Sequence, residues 1–420
     1  MKRVLYTTTC LLLISTTGAL ADNNEAWLDQ SGTANVALIQ QTGADNDAGS
    51  NAQNIRQVNQ RNQLTILQGG SGNAIGLEAN SNGGEAGIYQ ISNRDGVNGN
   101  IIDIEQASDS NTVGAISQTS TGTMSNLQRN TVNIEQSGGN GNRVGSVQQW
   151  RQSSRGNFTD IAQTGASNTI ERVSQYSPSS GGGNARNELN VTMSGDDNGN
   201  GVLTGAADMS GAIASTLIQG EAAKRGSNNR ATLIISGNTN QFGVTQYGDQ
   251  NTVGTLTISG DLNEVGTYQD GSLNVIAVAE VDGTFNNVGV EQIGTSNSGS
   301  VDISGNSNGL LMRQIGGTNI ATAMITGNDN GWNQSLSGNA GLVAGGMPSG
   351  LIEQIGDNNT AHLAVTGDMN AFALSSFGAG NTINGSVTGD SNQVAVVQAG
   401  DMNTANFTQI GNGNNAGILQ

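Results

Sequence analysis

The sequence predicts an all-β chain: a β-solenoid of stacked strand-turn-strand-turn coils, 22–23 residues per coil, amyloid-like in its stacking. Three observations carry that prediction. Gly and Asn recur at a fixed spacing of 11 residues over long stretches. Apolar residues within each spacing recur at i+2, and no 3.6-residue period persists. The 55 Asn and 31 Gln outnumber the 15 basic and 33 acidic residues together.

The N-terminus comes first in the chain. Met1-Lys2-Arg3 precedes a mostly apolar run from Val4 to Ile14, and Ala19-Leu20-Ala21 supplies a small-x-small site. This predicts a signal peptide over 1–21, leaving 22–420 as one repeat domain. No later stretch approaches the roughly 20 apolar residues of a membrane span, so no membrane insertion is expected. Cys10, the single cysteine, lies within the signal segment. That excludes a disulfide scaffold and a Cys-based zinc site. A formal charge of -18 argues against nucleic acid or anionic membranes as partners. At 3% aromatics, an enzyme core of ordinary composition is not expected.

The repeat is clearest toward the C-terminus. Gln420, Gln409 and Gln398 are 11 apart, and Val387, Ser376, Val365 and Gln354 continue the frame. Gly356, Gly367, Gly378, Gly389, Gly400 and Gly411 each follow an anchor by two; Asn359, Asn370, Asn381, Asn392, Asn403 and Asn414 follow by five. Upstream the frame includes Gln314, Ile303, Gln292 and Val281, with steps of 12 at Gln246–Ile258 and Gln269–Val281. Gln and Ile alternate at the anchor between Ile235 and Ile325, so the true repeat is a pair of units. Weaker copies begin at Gln30, Gln41, Gln68 and Gln163.

Each unit reads as a strand and a tight turn. Asn403, Ala405, Phe407 and Gln409 share one parity and face inward, while Thr404, Asn406 and Thr408 face out. The turns hold Gly, Asp and Asn, which tolerate positive φ. Stacked coils place equivalent amides above one another, so inward Asn and Gln are expected to form ladders. The ladder set is Asn359, Asn370, Asn381, Asn392, Asn403, Asn414, Gln354, Gln398, Gln409 and Gln420. At this repeat length the chain accommodates about 17 to 18 coils. The frame breaks near 176–185, 199–229 and 340–350, which are expected to be loops extruded from the stack. The strand from Asn414 to Gln420 carries no charge or Pro to protect its edge, so growth by stacking is expected there.

The run Gly400-x-x-Asn403-x-Ala405-x-x-x-Gln409-x-Gly411-x-x-Asn414-x-Ala416-x-x-x-Gln420 resembles the curlin repeat, Ser-x5-Gln-x-Gly-x2-Asn-x-Ala-x3-Gln. The resemblance covers nearly all of 22–420, though alternate anchors are Val or Ile and the Ser is often absent. It implies a secreted subunit of curli-type amyloid fibres at the bacterial cell surface, serving adhesion and biofilm matrix. Implied partners are the chain itself in a homopolymeric fibre, a nucleator or partner curlin subunit, and an outer-membrane secretion channel.

No catalytic, cofactor-binding or metal site is expected. His362, the single histidine, falls at an outward position. Asp196-Asp197-Asn198-Gly199-Asn200 lacks the spaced carboxylates and terminal Glu of a calcium loop. Gly69-Gly70-Ser71-Gly72 lacks the Lys-Ser/Thr of a phosphate loop. Glu264, Glu280 and Arg313 are scattered, and Trp27, Trp150 and Trp332 are too dispersed for a sugar platform. The alternative is a monomeric or minor-component β-solenoid adhesin or ice-binding surface protein. Outward triplets such as Gln393, Ala395, Val397 and Asn415, Gly417, Leu419 are not Thr-rich.

Overall fold

The computed structural model describes residues 23–80, 86–92, 99–121, 129–152, 156–177, 186–332 and 334–420. The expected signal peptide lies outside them, as do 178–185 of the first expected loop. Strand makes up 59% of the chain and helix 3%, and the strands build a parallel β-solenoid of about 14 coils. Each coil contributes to two parallel sheets, so bonded neighbours within a sheet lie one coil apart. Two compact units are present: Met1–Gly195 with Ile218–Asn228, and Asp196–Leu217 with Asn229–Gln420.

In the first unit one sheet stacks Val36–Gln41, Gln63–Gln68, Ile101–Gln106, Thr131–Gly138, Phe158–Gly165 and Glu188–Ser194. The other stacks Leu28–Thr33, Ile55–Gln60, Ile88–Ser92, Thr112–Ser120, Arg143–Arg151 and Thr169–Ser177. Coil length varies here. Asn46, Asn73, Asn111, Asn142 and Asn168 share one column, yet successive members are 27, 38, 31 and 26 residues apart. These longer coils, with the 42 residues from Asn198 to Asn240 and the 40 from Asn319 to Asn359 in the second unit, are why the chain makes about 14 coils rather than 17 to 18. Extra residues are accommodated between ladder positions, so the ladder bonds survive.

The second unit is more regular. Arg230–Ser236 through Thr404–Ile410 form eight strands of one sheet, and Gln241–Asp249 through Asn415–Leu419 form eight of the other. The steps of 12 have a local cause. Thr252–Ser259 and Val275–Asp282 each hold one residue more than their outer neighbours, and the register shifts around them. This is a bulge, which absorbs an added residue without reversing the faces on either side. Alternation of Gln with Ile also resolves into space. The Gln anchors line one sheet, while Ile258, Val281, Ile303, Ile325, Val365 and Val387 form a buried aliphatic column in the other.

The expected loops at 199–229 and 340–350 are not extruded. The first contains a short helix, α1 (Gly205–Met209), and the strand Thr216–Gln219; the second lies on α2 (Gly338–Ala344). Both helices lie back on the outer face of the second unit, where α2 buries Ala340 and Ala344 against Ala395. The outer face is therefore covered wherever a helix crosses it.

Candidate functional site

The predicted amides fall into separate columns. Asn359, Asn381 and Asn403 occupy one, and Asn370, Asn392 and Asn414 another. Asn359, Asn370, Asn381 and Asn392 are buried; Asn403 and Asn414, in the last described coil, are half-buried. Oδ1 of Asn359, Asn370, Asn381 and Asn392 accepts the backbone N–H of the Asn one coil on, at 3.0 Å for Asn381 to Asn359 and 2.9 Å for Asn403 to Asn381. Nδ2 of Asn359 and Asn381 reaches a turn carbonyl, Gly378 at 2.8 Å and Gly400 at 2.7 Å, while Nδ2 of Asn370 and Asn392 donates to the Oδ1 of Asn330 and Asn370 at 3.0 and 3.1 Å. The ladder has a direction, because every Oδ1 is offered to the following coil. Donors and acceptors buried at the corner are thereby paired, which matters because an orphaned one costs about 1–3 kcal/mol.

The Gln column runs through Gln246, Gln269, Gln292, Gln314 and Gln354, each Nε2 donating to the next Oε1 at 2.8–2.9 Å. Ser376 replaces one rung and donates to Gln398 Oε1 at 3.3 Å. Gln398 then donates to Gln420 at 2.8 Å; Gln398 is buried and Gln420 exposed. Gln409 does not belong to this ladder. It pairs across the other sheet with Val387, and its Oε1 is buried without a hydrogen-bond partner. The even spacing of 11 hides the alternation of sheets, which is why Gln409 reads as a rung.

In the first unit a Gln ladder lines both sheets. One runs through Gln57, Gln90, Gln118, Gln149, Gln175 and Gln219, and the other through Gln41, Gln68, Gln106, Gln136 and Gln163. Most of these escape an 11-residue frame. The signal that finds those of the second sheet is Asn-x5-Gln within a strand, as in Asn62–Gln68, Asn100–Gln106 and Asn130–Gln136, which is indifferent to coil length.

The turn glycines have two constraints. Gly356, Gly367, Gly378, Gly389, Gly400 and Gly411 hold φ between 99° and 120°. A Cβ on Gly356, Gly367, Gly378 or Gly389 would lie 2.1–2.4 Å from a glycine carbonyl one coil on. Left-handed backbone also occurs two residues later, where Asn358, Met369, Ser391 and Met402 adopt φ of 56–60°. Composition did not mark those positions. The intervening residue supplies a further ladder: Asp390 Oδ1 accepts Asp368 N–H at 3.0 Å, and Asn412 Oδ1 accepts Asp390 N–H at 2.8 Å.

The two helical inserts are held by one and the same device. Thr204 N–H and Oγ1 donate to Glu264 Oε2 at 2.6 and 2.7 Å, and Ala207 N–H donates to Asn287 Oδ1 at 2.8 Å. Ser337 N–H and Oγ donate to Gln393 Oε1 at 2.8 and 2.9 Å, and Ala340 N–H donates to Asn415 Oδ1 at 2.9 Å. Glu264 with Asn287, and Gln393 with Asn415, are register partners on adjacent coils. Gly289 and Gly417 leave room for the helix; a Cβ there would lie 1.9 and 2.4 Å from Ala206 O and Asn339 O. Asn287→Ala should therefore release the first insert, at about 1–3 kcal/mol for the unpaired Ala207 N–H. Limited proteolysis between 199 and 217 should accelerate while cleavage in the strands stays slow.

Charge on the outer face is paired along the stack. Arg313 Nε lies 2.5 Å from Glu291 and its Nη1 3.5 Å from Glu353, residues of the coils on either side. The Glu291 hydrogen bond raises the guanidinium pKa above its ordinary value. His362 is exposed on the outward face. No helix among the described residues is long and apolar enough to cross a membrane.

No curated protein matches this chain. The family model for the Curlin associated repeat matches residues 21–49, the segment holding Asn24, Gln30, Asn35 and Gln41. Repeat and β-solenoid together support a curli-like amyloid or fibre subunit in general terms, and point to a structural protein rather than an enzyme. By this match residues 21–49 carry a curlin associated repeat, in agreement with the curlin resemblance of the longer repeat series.

Proposed function

We propose that this chain is a secreted structural subunit of curli-like functional amyloid fibres, assembling by coil stacking in adhesion and biofilm matrix. The observation that carries the reading is the amide ladder. Its rungs bond one coil to the next rather than within a coil, as Asn359 does to Asn381, Asn370 to Asn392 and Gln292 to Gln314. Bonding of this kind is the same between coils of one copy and coils of another, which is what supports assembly by stacking. The ladder residues and turn glycines serve this role together, the amides by bonding and the glycines by close approach. A nucleator or partner curlin and an outer-membrane channel are proposed from the family resemblance. The reading includes export by the signal segment expected from the sequence over 1–21.

Purified protein incubated with an amyloid dye, then viewed by electron microscopy, tests the reading. Dye-positive unbranched fibres are expected; a persistently monomeric, dye-negative solution overturns it. One observation favours the surface-binder alternative. Thr360, Thr382 and Thr404 stack in register on one sheet's outward face, as do Thr326, Thr366 and Thr388. A monomer that inhibits ice recrystallisation would shift the reading to that alternative.

A further inference from the structure

We infer that Asn308 and Asn330 form a spontaneous modification site, closed while the coils are stacked and opened when they part. At this site an unstacked chain deamidates and is thereby barred from restacking. Three rung asparagines precede a glycine, namely Asn198, Asn308 and Asn330, and the last two are neighbours on successive coils. Elsewhere a branched side chain commonly follows a rung, as Thr252, Val275 and Ile320 follow Asn251, Asn274 and Asn319. The distinction is chemical. Deamidation begins when the backbone nitrogen of the following residue attacks the asparagine Cγ. A β-branched neighbour stiffens and crowds that approach, whereas glycine leaves the nitrogen open and the backbone free to turn.

Both glycines are required by the fold. A Cβ on Gly331 would lie 2.0 Å from Gly309 O, and one on Gly309 would lie 2.2 Å from Trp332 Cβ. They are imposed where the chain leaves the stack to form the second insert, so the reactive pairs come with the architecture.

Stacking withholds both reactants. Gly331 N–H donates to Asn370 O and Gly309 N–H to Asn330 O, each at 2.8 Å. The amides are held as well. Asn330 Oδ1 accepts Asn370 N–H at 2.9 Å, and its Nδ2 donates to Gly367 O at 2.8 Å and Asn308 Oδ1 at 3.0 Å. Asn308 Nδ2 donates to Gly327 O at 2.7 Å and Asn286 Oδ1 at 3.2 Å. Asn308 is 1% exposed and Asn330 0%, which keeps out the base and water that the reaction needs.

Once the coils part, solvent supplies everything else. Gly331 N gives its proton to solvent base and bonds to Asn330 Cγ, Nδ2 leaves as ammonia, and a succinimide ring closes. Water opens the ring at either carbonyl, leaving aspartate or isoaspartate; the net change consumes one water and releases one ammonia. Neither product makes a rung. Aspartate would turn a carboxylate oxygen toward Gly367 O and Asn308 Oδ1, where a donor stood, and bury its charge. Isoaspartate lengthens the main chain by a methylene and displaces the strand that follows. An exposed turn tolerates the same change. Asn140 Oδ1 accepts Asp109 N–H at 3.2 Å, and Asp109 itself accepts Ser71 N–H at 2.8 Å, so an aspartate already fills this role.

Full-length protein held at mildly alkaline pH, with and without concentrated guanidinium chloride, tests this by peptide mapping. Conversion at 308 and 330 is expected to run at least about tenfold faster in denaturant, with little at Asn319. Equal rates in the two conditions overturn the inference, as does conversion at Asn319 in denaturant as fast as at Asn330. Asn330→Asp supplies a second readout. Its folded-to-unfolded ratio in denaturant titrations should fall about tenfold or more, while Asn140→Asp stays within about twofold of the unmodified protein. Matching titration curves for the two variants overturn the barrier to restacking.

Discussion

Asn359→Ala should destabilise the second unit by about 1–3 kcal/mol for each group it leaves buried and unpaired. Those groups are specific. Asn381 N–H loses its acceptor at 3.0 Å and Gly378 O loses a donor at 2.8 Å, while Asn319 Oδ1 keeps the backbone N–H of residue 359 at 3.0 Å. All three asparagines are buried, so water does not replace the lost bonds without opening the stack. Asn406→Ala is the matched control. Asn406 is exposed, its Oδ1 accepting from Asn384 at 2.9 Å, and its loss should cost less than about 0.5 kcal/mol. Denaturant unfolding of both variants checks the contrast, and equal midpoints would contradict buried ladder bonding.

A methyl group on a turn glycine should be as damaging. Gly367 holds φ of 120°, and a Cβ there would lie 2.3 Å from Gly389 O. Backbone strain of about 1–3 kcal/mol adds to an overpacking cost of similar size. The contact is with backbone of the next coil, so no rotamer change relieves it. Gly413→Ala should be nearly neutral, since its φ of 68° is shared at equivalent positions by Met402 and Ser391, and nothing lies within 4 Å of the added carbon. Thermal unfolding of Gly367→Ala and Gly413→Ala separates the two kinds of positive φ. A similar melting temperature for both would mean that the coils have room to part.

The turns also show how the sequence informs and misleads. Gly at +2 and Asn at +5 are visible because each position has one solution. Only glycine fits both the φ and the approach of the next coil. Only a short amide at the corner meets the next Asn N–H and a turn carbonyl together. The left-handed position two residues after the glycine stayed invisible, because its φ near 58° admits Met369 and Leu262 as readily as Asn358. Gln409 misled for a different reason. One-dimensional spacing treats both sheets alike, whereas burial and pairing are properties of one sheet.

What the sequence determined by itself is local and repetitive: strand parity, turn chemistry, the inward Asn rungs and the solenoid class. Each follows from residues within one coil, and repetition multiplies a weak signal. Tertiary structure alone decided three other matters. It set the number of coils, because ladder bonds join Asn73 to Asn111 across 38 residues as readily as Asn24 to Asn46 across 22. It laid the two inserts on the outer face, since Asn287 and Asn415 lie 80 and 75 residues from the helices they hold. It also assigned Gln409 to an aliphatic column. The physical reason is common to all three: hydrogen bonding and burial depend on separation in space, and stacked coils bring together residues whose separation along the chain carries no fixed period.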